Sequence, residues 1–228
     1  MAPGSIRSRS SMLKTPHTEA STRPRSSQKN AQILTAAARL FREHGYGATS
    51  MDAVALTAGV SKATVYAHFA DKQELFEAIV SSEDAERSSG WLEKFGTAGN
   101  LRARLSRLAR AVLDLLLAPD TIATHRMVAA EATRFPEIGH AYYENGAVRL
   151  LQRLEEIFTL AMEAGELRRA HPRRAAEQFV GLVRGDLQLR SMLGVESGSA
   201  ESTIETVLRS GVDTFYRAYG LDRGPDRP

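Results

Sequence analysis

Apolar residues first recur with helical spacing between residues 28 and 44. They form one stripe, which consists of Ile33, Leu34, Ala37, Leu40 and Phe41. Such a stripe is the buried side of an amphipathic helix. The pattern stops before Gly45 and Gly47, two residues of low helix propensity. We therefore predict a helix over 28–44 that contributes its apolar side to a small helical core.

A shorter apolar pattern follows, with the spacing i, i+3, i+4 and i+7 of an amphipathic helix. Its members are Met51, Val54, Ala55 and Ala58. Thr49 with Asp52 three residues later has the spacing of a capping box at the start of this helix. Gly59 is expected to end it, because glycine tolerates the positive φ of a helix C-terminus.

A second short helix is predicted to begin after this glycine. Ser61 has a side chain typical of an N-cap, and Val65 and Phe69 give the helix a buried side. Two short helices joined by a tight glycine turn form the helix-turn-helix pattern, whose second helix lies in the DNA major groove. The alternative is that both are solvent-facing helices of an ordinary all-α bundle.

The predicted second helix exposes side chains that suit contact with DNA. Lys62, Thr64, Tyr66 and His68 all form hydrogen bonds, and no acidic residue lies between 53 and 70 to repel phosphate. Lys72 lies in the first turn of the next helix, where free backbone N–H groups favour an anion. The predicted DNA-binding residues are Thr49, Ser61, Lys62, Ala63, Thr64, Tyr66, His68 and Lys72.

Residues 58–76 read AGVSKATVYAHFADKQELF and resemble the signature of TetR-family regulators. The matching positions are Ala58, Gly59, Val60, Ser61, Thr64, Tyr66, Phe69, Lys72, Glu74 and Leu75. Segment 36–50 is also similar to the first helix of that family. Ala63 departs from the pattern, which usually has glycine there, and its methyl group limits how closely the backbone approaches a base.

This resemblance implies a function for the whole chain. It implies a homodimer that binds a pseudo-palindromic DNA operator. It also implies that a small hydrophobic effector releases this dimer from the DNA, so the protein would be a repressor. It also implies that the helix after residue 72 moves when the effector binds. Two other classes stay open: a DNA-binding architectural or protein-interaction factor without an effector, and an enzyme body fused to a DNA-binding head.

Helical spacing continues through the rest of the chain after a Gly- and Ser-containing loop over 88–100. It predicts helices over 72–87, 101–117, 119–135, 137–164, 173–193 and 201–219. The predicted fold class is all-α, with a three-helix head and a larger helical body. The predicted divisions are a helix-turn-helix domain over 28–73, an effector-binding and dimerisation domain over 74–220, and a flexible tail over 221–228.

The last two predicted helices have features of an interface. Helix 173–193 is apolar on more than one side, so it needs a partner beyond its own core. Helix 201–219 has a regular apolar stripe that includes Gly211, which costs about 1 kcal/mol relative to alanine and suggests a close helix approach. We predict that both helices form a four-helix dimer interface with their symmetry mates. The alternative is that they close the core of a monomer.

The middle of the chain, over 126–165, is similar to the body of AefR-like TetR regulators. Its aromatic and methionine side chains, with those of the preceding loop, suit an apolar effector. The predicted pocket residues are Trp91, Phe95, His125, Met127, Phe135, Tyr142, Phe158 and Met162. For the two loop aromatics another interpretation is that their rings attach the loop to the body.

Charge is distributed unevenly along the chain. The net charge is +3, yet residues 1–72 hold ten Lys or Arg against four Asp or Glu. Much of this excess lies in residues 1–27, a Ser-, Pro- and Arg-rich segment that we predict to be disordered. It is either a basic arm that contacts DNA or a solvated tail.

Composition excludes several classes of protein. The chain has no cysteine, which excludes disulfides and cysteine metal sites. We find no secretory signal and no apolar run of the roughly 18 residues that cross a bilayer, so we expect a cytoplasmic protein with no membrane partner. No catalytic, metal-binding or phosphate-binding motif is present. We therefore expect no enzyme activity, no cofactor and no metal.

Overall fold

The computed structural model describes residues 23–88, 90–91, 95–96, 98–195 and 201–221. The helices of these parts are α1 (Arg23–His44), α2 (Met51–Ala58), α3 (Lys62–His68), α4 (Lys72–Ser88), α5 (Leu101–Leu117), α6 (Pro119–Glu131), α7 (Pro136–Tyr142), a π-helical turn (Tyr143–Val148), α8 (Arg149–Glu163), α9 (Pro172–Arg184), α10 (Leu187–Leu193) and α11 (Glu201–Tyr219). The predicted all-α fold with a three-helix head and a larger helical body is confirmed.

The beginning of α1 differs from its prediction. The helix starts at Arg23, inside the segment predicted to be disordered. The rest of that segment, over 1–22, and most of the tail over 221–228 lie outside the described residues. In the part of the chain that is described, no helix is long and apolar enough to cross a bilayer.

Two long predicted helices are interrupted. The predicted helix over 173–193 is two helices, because Gly185 adopts φ 52° and ψ −134°, a conformation that side chains disfavour. The predicted helix over 137–164 contains the π-helical turn. There the Asn145 amide donates to the Ala141 carbonyl (3.1 Å), and its oxygen accepts from the Ser81 hydroxyl of α4 (3.2 Å).

The hydrophobic core of the head is shared with the body. The apolar sides of α1, α2, α3 and α4 form one cluster around Ile33, Phe41, Val54, Val65 and Phe76. Apolar residues of α6 and α7, namely Met127, Val128, Ile138 and Ala141, belong to the same cluster. The head therefore packs directly on α6 and α7 as well as on α4.

The core of the body lies among α5, α8, α9 and α11. Its centre is a group of rings, in which Phe215 stacks on Phe158 (5.1 Å between centroids) and on Tyr219 (4.7 Å), while Phe179 meets it edge-on (4.9 Å). The apolar stripe of α11 thus faces its own chain. The predicted close approach at Gly211 is present within the chain, since an added Cβ would lie 2.7 Å from the Leu182 carbonyl oxygen of α9.

Candidate DNA-binding surface and ligand cavity

The turn between α2 and α3 has the local structure of a helix-turn-helix. Gly59 ends α2 with φ 67°, in the left-handed region that favours glycine. Ser61 is the N-cap of α3, as predicted, and its hydroxyl accepts a hydrogen bond from the Thr64 N–H (3.1 Å). The N-cap of α2 is Ser50, whose hydroxyl accepts from the Ala53 N–H (3.1 Å). The prediction that Thr49 starts this helix was wrong by one residue.

Thr49 faces the interior of the head. Its side chain is buried, and its hydroxyl donates to the Gly45 carbonyl oxygen (2.8 Å). This bond connects Thr49, two residues before α2, to Gly45, the residue directly after α1. In this arrangement its side chain is not available to DNA, although it was among the predicted contact residues.

The outer face of α3 carries the remaining predicted contacts. Ser61, Lys62, Ala63 and Tyr66 are exposed, whereas Thr64 and His68 are half-buried. The Thr64 hydroxyl already shares a hydrogen bond with the Ser61 hydroxyl (2.8 Å). These side chains lie along α3 from its N-cap, Ser61, to its last residue, His68, and their contact with DNA stays a prediction.

Lys62 has a partner that the sequence pattern did not reveal. Its ammonium lies 2.8 Å from a carboxylate oxygen of Asp52 on α2. The hydrogen bond and the charge of Asp52 raise the pKa of Lys62. Both side chains are exposed, so the pair is accessible to phosphate, but the Asp52 carboxylate offsets the positive charge of Lys62.

Lys72 binds groups within the head itself. Its ammonium donates to the carbonyl oxygens of Tyr46 (2.7 Å) and Thr49 (3.1 Å) and lies 4.3 Å from the centre of the Tyr46 ring. Partial burial lowers the pKa of this ammonium. A phosphate contact by Lys72, which the sequence predicted, would compete with these carbonyl groups.

The start of α4 is capped by its own residues. The Asp71 carboxylate accepts from the Glu74 N–H (2.8 Å), and the Glu74 carboxylate accepts from the Ala70 N–H (2.6 Å). The two hydrogen bonds resemble a capping box, except that Glu74 accepts from the N–H of Ala70 and not from that of Asp71. They occupy backbone N–H groups that were considered for phosphate.

A cavity of about 350 Å³ lies between the head-bearing helices and the body. Its apolar wall comes from α4, α5, α8 and α9 and consists of Val80, Leu115, Leu116, Leu150, Leu151 and Val180. Polar side chains also line it, and they are Glu83, Thr121, Thr124, His125, Tyr142, Glu177, Arg184 and Gln188. An apolar space with a few polar groups is the usual form of a small-molecule site.

His125 and Tyr142 form an aromatic corner of this cavity. Their rings meet edge-to-face with 5.4 Å between centroids. Burial, and secondly the charge of Arg184, lowers the pKa of His125. The imidazole is therefore neutral near pH 7 and has one N–H donor and one acceptor nitrogen.

Only these two of the eight predicted effector residues line the cavity. Trp91, Phe95, Phe158 and Met162 belong to the body core. Met127 and Phe135 pack in the cluster that the head shares with α6 and α7. The prediction placed large apolar side chains around the ligand, but in the fold most of them fill the core instead.

The cavity residues that were missed are mainly aliphatic or small. A signal for one of them was present, because Val180 lies on one of the two apolar sides of the predicted helix 173–193. That helix was assigned to a dimer interface, whereas its residues Val180 and Gly181 lie on the cavity wall. Gly146 of the π-helical turn lies there too, and it had no sequence signal.

Comparison with known proteins agrees with this arrangement. Residues 33–79 match the family model of bacterial regulatory proteins of the tetR family. Residues 103–221 match the C-terminal domain of AefR-like transcriptional repressors. Together the two matches cover the helix-turn-helix and the body that forms the cavity.

Individual relatives have the same character. The HTH-type transcriptional repressor Rv1474c of Mycobacterium tuberculosis is 30% identical over 52% of this chain and 59% of its own length. The first curated relatives are matched over only 41% and 59% of their length.

Solved structures extend the similarity to most of the chain. A TetR-family regulator from Mesorhizobium loti is 29% identical with a TM-score of 0.77, over 86% of this chain and 99% of that one. The Flavonoid-responsive Regulator FrrA is 35% identical with a TM-score of 0.69, over 87% of this chain and all of that one. With a matching head, a matching body and a shared fold, this chain belongs to the TetR family of DNA-binding transcriptional regulators.

Proposed function

We propose that this regulator is a dimeric repressor that leaves a pseudo-palindromic operator when a small apolar molecule occupies the cavity. The observation that carries the proposal is the position of the cavity. Helices α4 and α6 line it, and the same two helices pack in the core of the head. A ligand that changes the separation of α4 and α6 therefore also moves the head. Such a ligand binds more tightly to one position of the head than to the other.

In the proposed complex α3 lies in the major groove. Lys62 and Thr64, near its N-terminus, approach bases or phosphates, and Tyr66 and His68 hold phosphates on either side. Ser61 and Ala63 bring the helix start close to the DNA. Thr49 and Lys72 then act indirectly, since both hold the turn from which α2 emerges.

The proposed dimer forms through α9, α10 and α11. Leu189 and Leu193 of α10 support this assignment, because they are 59% and 69% exposed in the single chain. Large apolar side chains that share a short helix seldom remain in water without a partner surface. A two-fold dimer places two recognition helices on half-sites one DNA turn apart.

The proposed effector is a ring-containing compound with few polar groups. Aliphatic walls and the aromatic corner of His125 and Tyr142 support this class. FrrA is named as responsive to flavonoids, so flavonoids are the first compounds to test. The curated relatives include an activator as well as repressors, so a separate reporter assay must determine whether this protein lowers or raises transcription.

The experiment is binding of the full chain to the DNA upstream of its own gene, against scrambled DNA. Fluorescence anisotropy across salt concentrations, with and without a flavonoid panel, measures affinity and release. The proposal expects saturable binding of one dimer per site, release by at least one compound, and lower reporter transcription when the protein is present. Equal affinity for both DNAs, with no response to any compound, favours an architectural factor instead.

A further inference from the structure

The turn between α1 and α2, residues 45–50 (the head turn), is held by the body from one side. Two of its backbone N–H groups donate to the carboxylate of Glu131, the last residue of α6. Tyr46 donates to one carboxylate oxygen (2.9 Å) and Gly47 to the other (2.7 Å). Hydrogen bonds to an ionised acceptor are among the stronger ones in proteins.

The opposite side of the same turn is held by α4. The ammonium of Lys72, the first residue of that helix, donates to the carbonyl oxygens of Tyr46 and Thr49. The N–H groups of the head turn therefore face a carboxylate and its C=O groups face an ammonium. We call this pair, Glu131 and Lys72, the clamp.

The packing around the clamp leaves little room for a side chain at Gly45 or at Gly47. A Cβ added to Gly45 would lie 2.2 Å from the Glu131 carboxylate, and Gly45 also has φ 86°. A Cβ added to Gly47 would lie 2.9 Å from the ring of Phe135. The Phe135 ring in turn meets the Tyr46 ring edge-on (5.3 Å). The body thus approaches this turn as closely as glycine permits.

Both helices of the clamp continue to the cavity. On α6, Thr121, Thr124 and His125 line the cavity, one to three turns before Glu131. On α4, Val80 and Glu83 line it, and Glu83 also pairs with Arg42 of α1 (2.8 Å). The cavity and the head turn are therefore bridged by the same two rigid elements.

Resting on the proposed function, we propose that the clamp transmits occupancy of the cavity to the DNA-binding helices. A ligand that spreads α4 and α6 moves Glu131 and Lys72 apart. Because α2 begins at Met51, directly after the head turn, release of the turn changes how α2 and α3 lie on the head. A shift of about 1 Å is enough, since it takes a bond of 2.7 Å beyond hydrogen-bonding range.

The test uses the full chain and a DNA site selected from a random-sequence library by the wild-type protein. The cavity is filled from within by Gly181→Phe, because a Cβ there meets nothing within 4 Å. Gly146→Phe fills it from another wall, where the nearest atom is a Val80 methyl at 3.9 Å. Each filler is combined with Glu131→Gln, which keeps the size of the side chain and removes its charge.

The matched control is Glu137→Gln. Burial and, after it, the charge of Glu137 raise the pKa of Tyr46, so this carboxylate lies near the head turn, but Glu137 belongs to α7 and is not a member of the clamp. We expect each filler to weaken DNA binding about tenfold or more in the wild-type and Glu137→Gln proteins. In the Glu131→Gln protein, adding the same filler should change the DNA affinity by less than about threefold. Non-additivity of this kind is the measure of coupling between two sites.

Hydrogen exchange resolved at the amides of Tyr46 and Gly47 provides a second readout. Each filler is expected to raise their exchange rates about tenfold, and amides of the body core stay unchanged. Fillers that leave DNA affinity unaltered in the wild type overturn both the proposed function and the clamp. Fillers that weaken DNA binding equally with and without Glu131, or that leave both amides protected, overturn the clamp alone.

Discussion

Asp52 and Lys62 are side chains on the proposed DNA-binding surface that already satisfy each other. The pair is exposed, so it contributes little to folding stability. Its effect belongs to binding, because a phosphate that approaches Lys62 must compete with the carboxylate. The sequence indicated the cation but gave no reason to place α2 and α3 with these two residues opposite each other.

We expect Asp52→Asn to tighten binding to every DNA sequence by several-fold at low salt. Removal of the carboxylate frees Lys62 for phosphate and abolishes a repulsion, so the slope of log K against log salt becomes steeper by up to about one. Anisotropy titrations over a range of salt measure both quantities. Glu163→Gln, an exposed acid at the end of α8, is the control and should leave both unchanged. An unaltered slope in Asp52→Asn would show that Lys62 does not meet phosphate.

A pH-dependent stability is expected from His125. Burial and Arg184 lower its pKa from 6.5, so the unfolded chain binds a proton more readily than the folded chain. Its contribution to stability is thus complete above about pH 6.5 and is lost as the pH falls, by at most about 1.4 kcal/mol per pH unit. Urea unfolding between pH 7.5 and 5 should show a weaker decline in His125→Gln. Parallel curves for the two proteins would contradict this account.

Some of these single-residue features were predictable and others were not. Ser61 as an N-cap and Gly59 as a helix end follow local rules, and both are present. Thr49 and Lys72 were assigned to DNA because their types suit it, but their partners are carbonyl groups of the head turn. The partner of Lys72 lies 26 residues away in the chain, which no local pattern reveals, whereas the partner of Thr49 lies only four residues away.

At the scale of helices, the contact between α9 and α11 depends on one glycine. We expect Gly211→Ala to destabilise the protein by about 1–3 kcal/mol, because its Cβ would meet the Leu182 carbonyl oxygen at 2.7 Å. Higher helix propensity offsets about 1 kcal/mol at most. Gly181→Ala, on α9 with nothing within 4 Å, should instead stabilise by about 0.5–1 kcal/mol. Thermal and urea unfolding distinguish the two signs, and equal effects would contradict the close approach.

Helix positions were easier to predict than helix continuity. Apolar spacing located α5 and α11 at both ends, and α2 and α3 within one residue. It did not reveal the break at Gly185 or the π-helical turn, since both leave the apolar spacing nearly unchanged. The break depends on a backbone conformation and the turn on the side-chain bonds of Asn145. Both are tertiary features.

At the scale of the whole molecule, the proposed dimer makes a direct prediction. Leu189→Glu with Leu193→Glu places two charges on the exposed side of α10, so the protein should become monomeric and lose most of its operator affinity. Light scattering after gel filtration measures the mass. Leu160→Glu is the matched control, since Leu160 is also half-exposed but lies on α8. A double variant that remains dimeric would remove α10 from the proposed interface.

The head and the general plan of the body were predictable, whereas the cavity was not. A helix-turn-helix is a local structure, and its residues lie within 30 positions of one another. The cavity is what remains after eight elements have packed, so its walls depend on how each helix is rotated. Aromatic and methionine side chains were predicted around the ligand, but aliphatic side chains form the apolar wall of the cavity. The division into 28–73 and 74–220 stays a prediction, and the shared cluster makes α4 part of both.

On a chromosome, a regulator meets about 10⁶–10⁹ competing sites before it reaches its operator. If Lys62 binds phosphate as proposed, it must leave Asp52 at each of these sites. This cost is the same on every sequence, so the preference for the operator over other DNA is unchanged. What changes is the dwell time at each wrong site, which becomes shorter. More sites are sampled per second, and we expect the search for the operator to be faster because of one acidic residue.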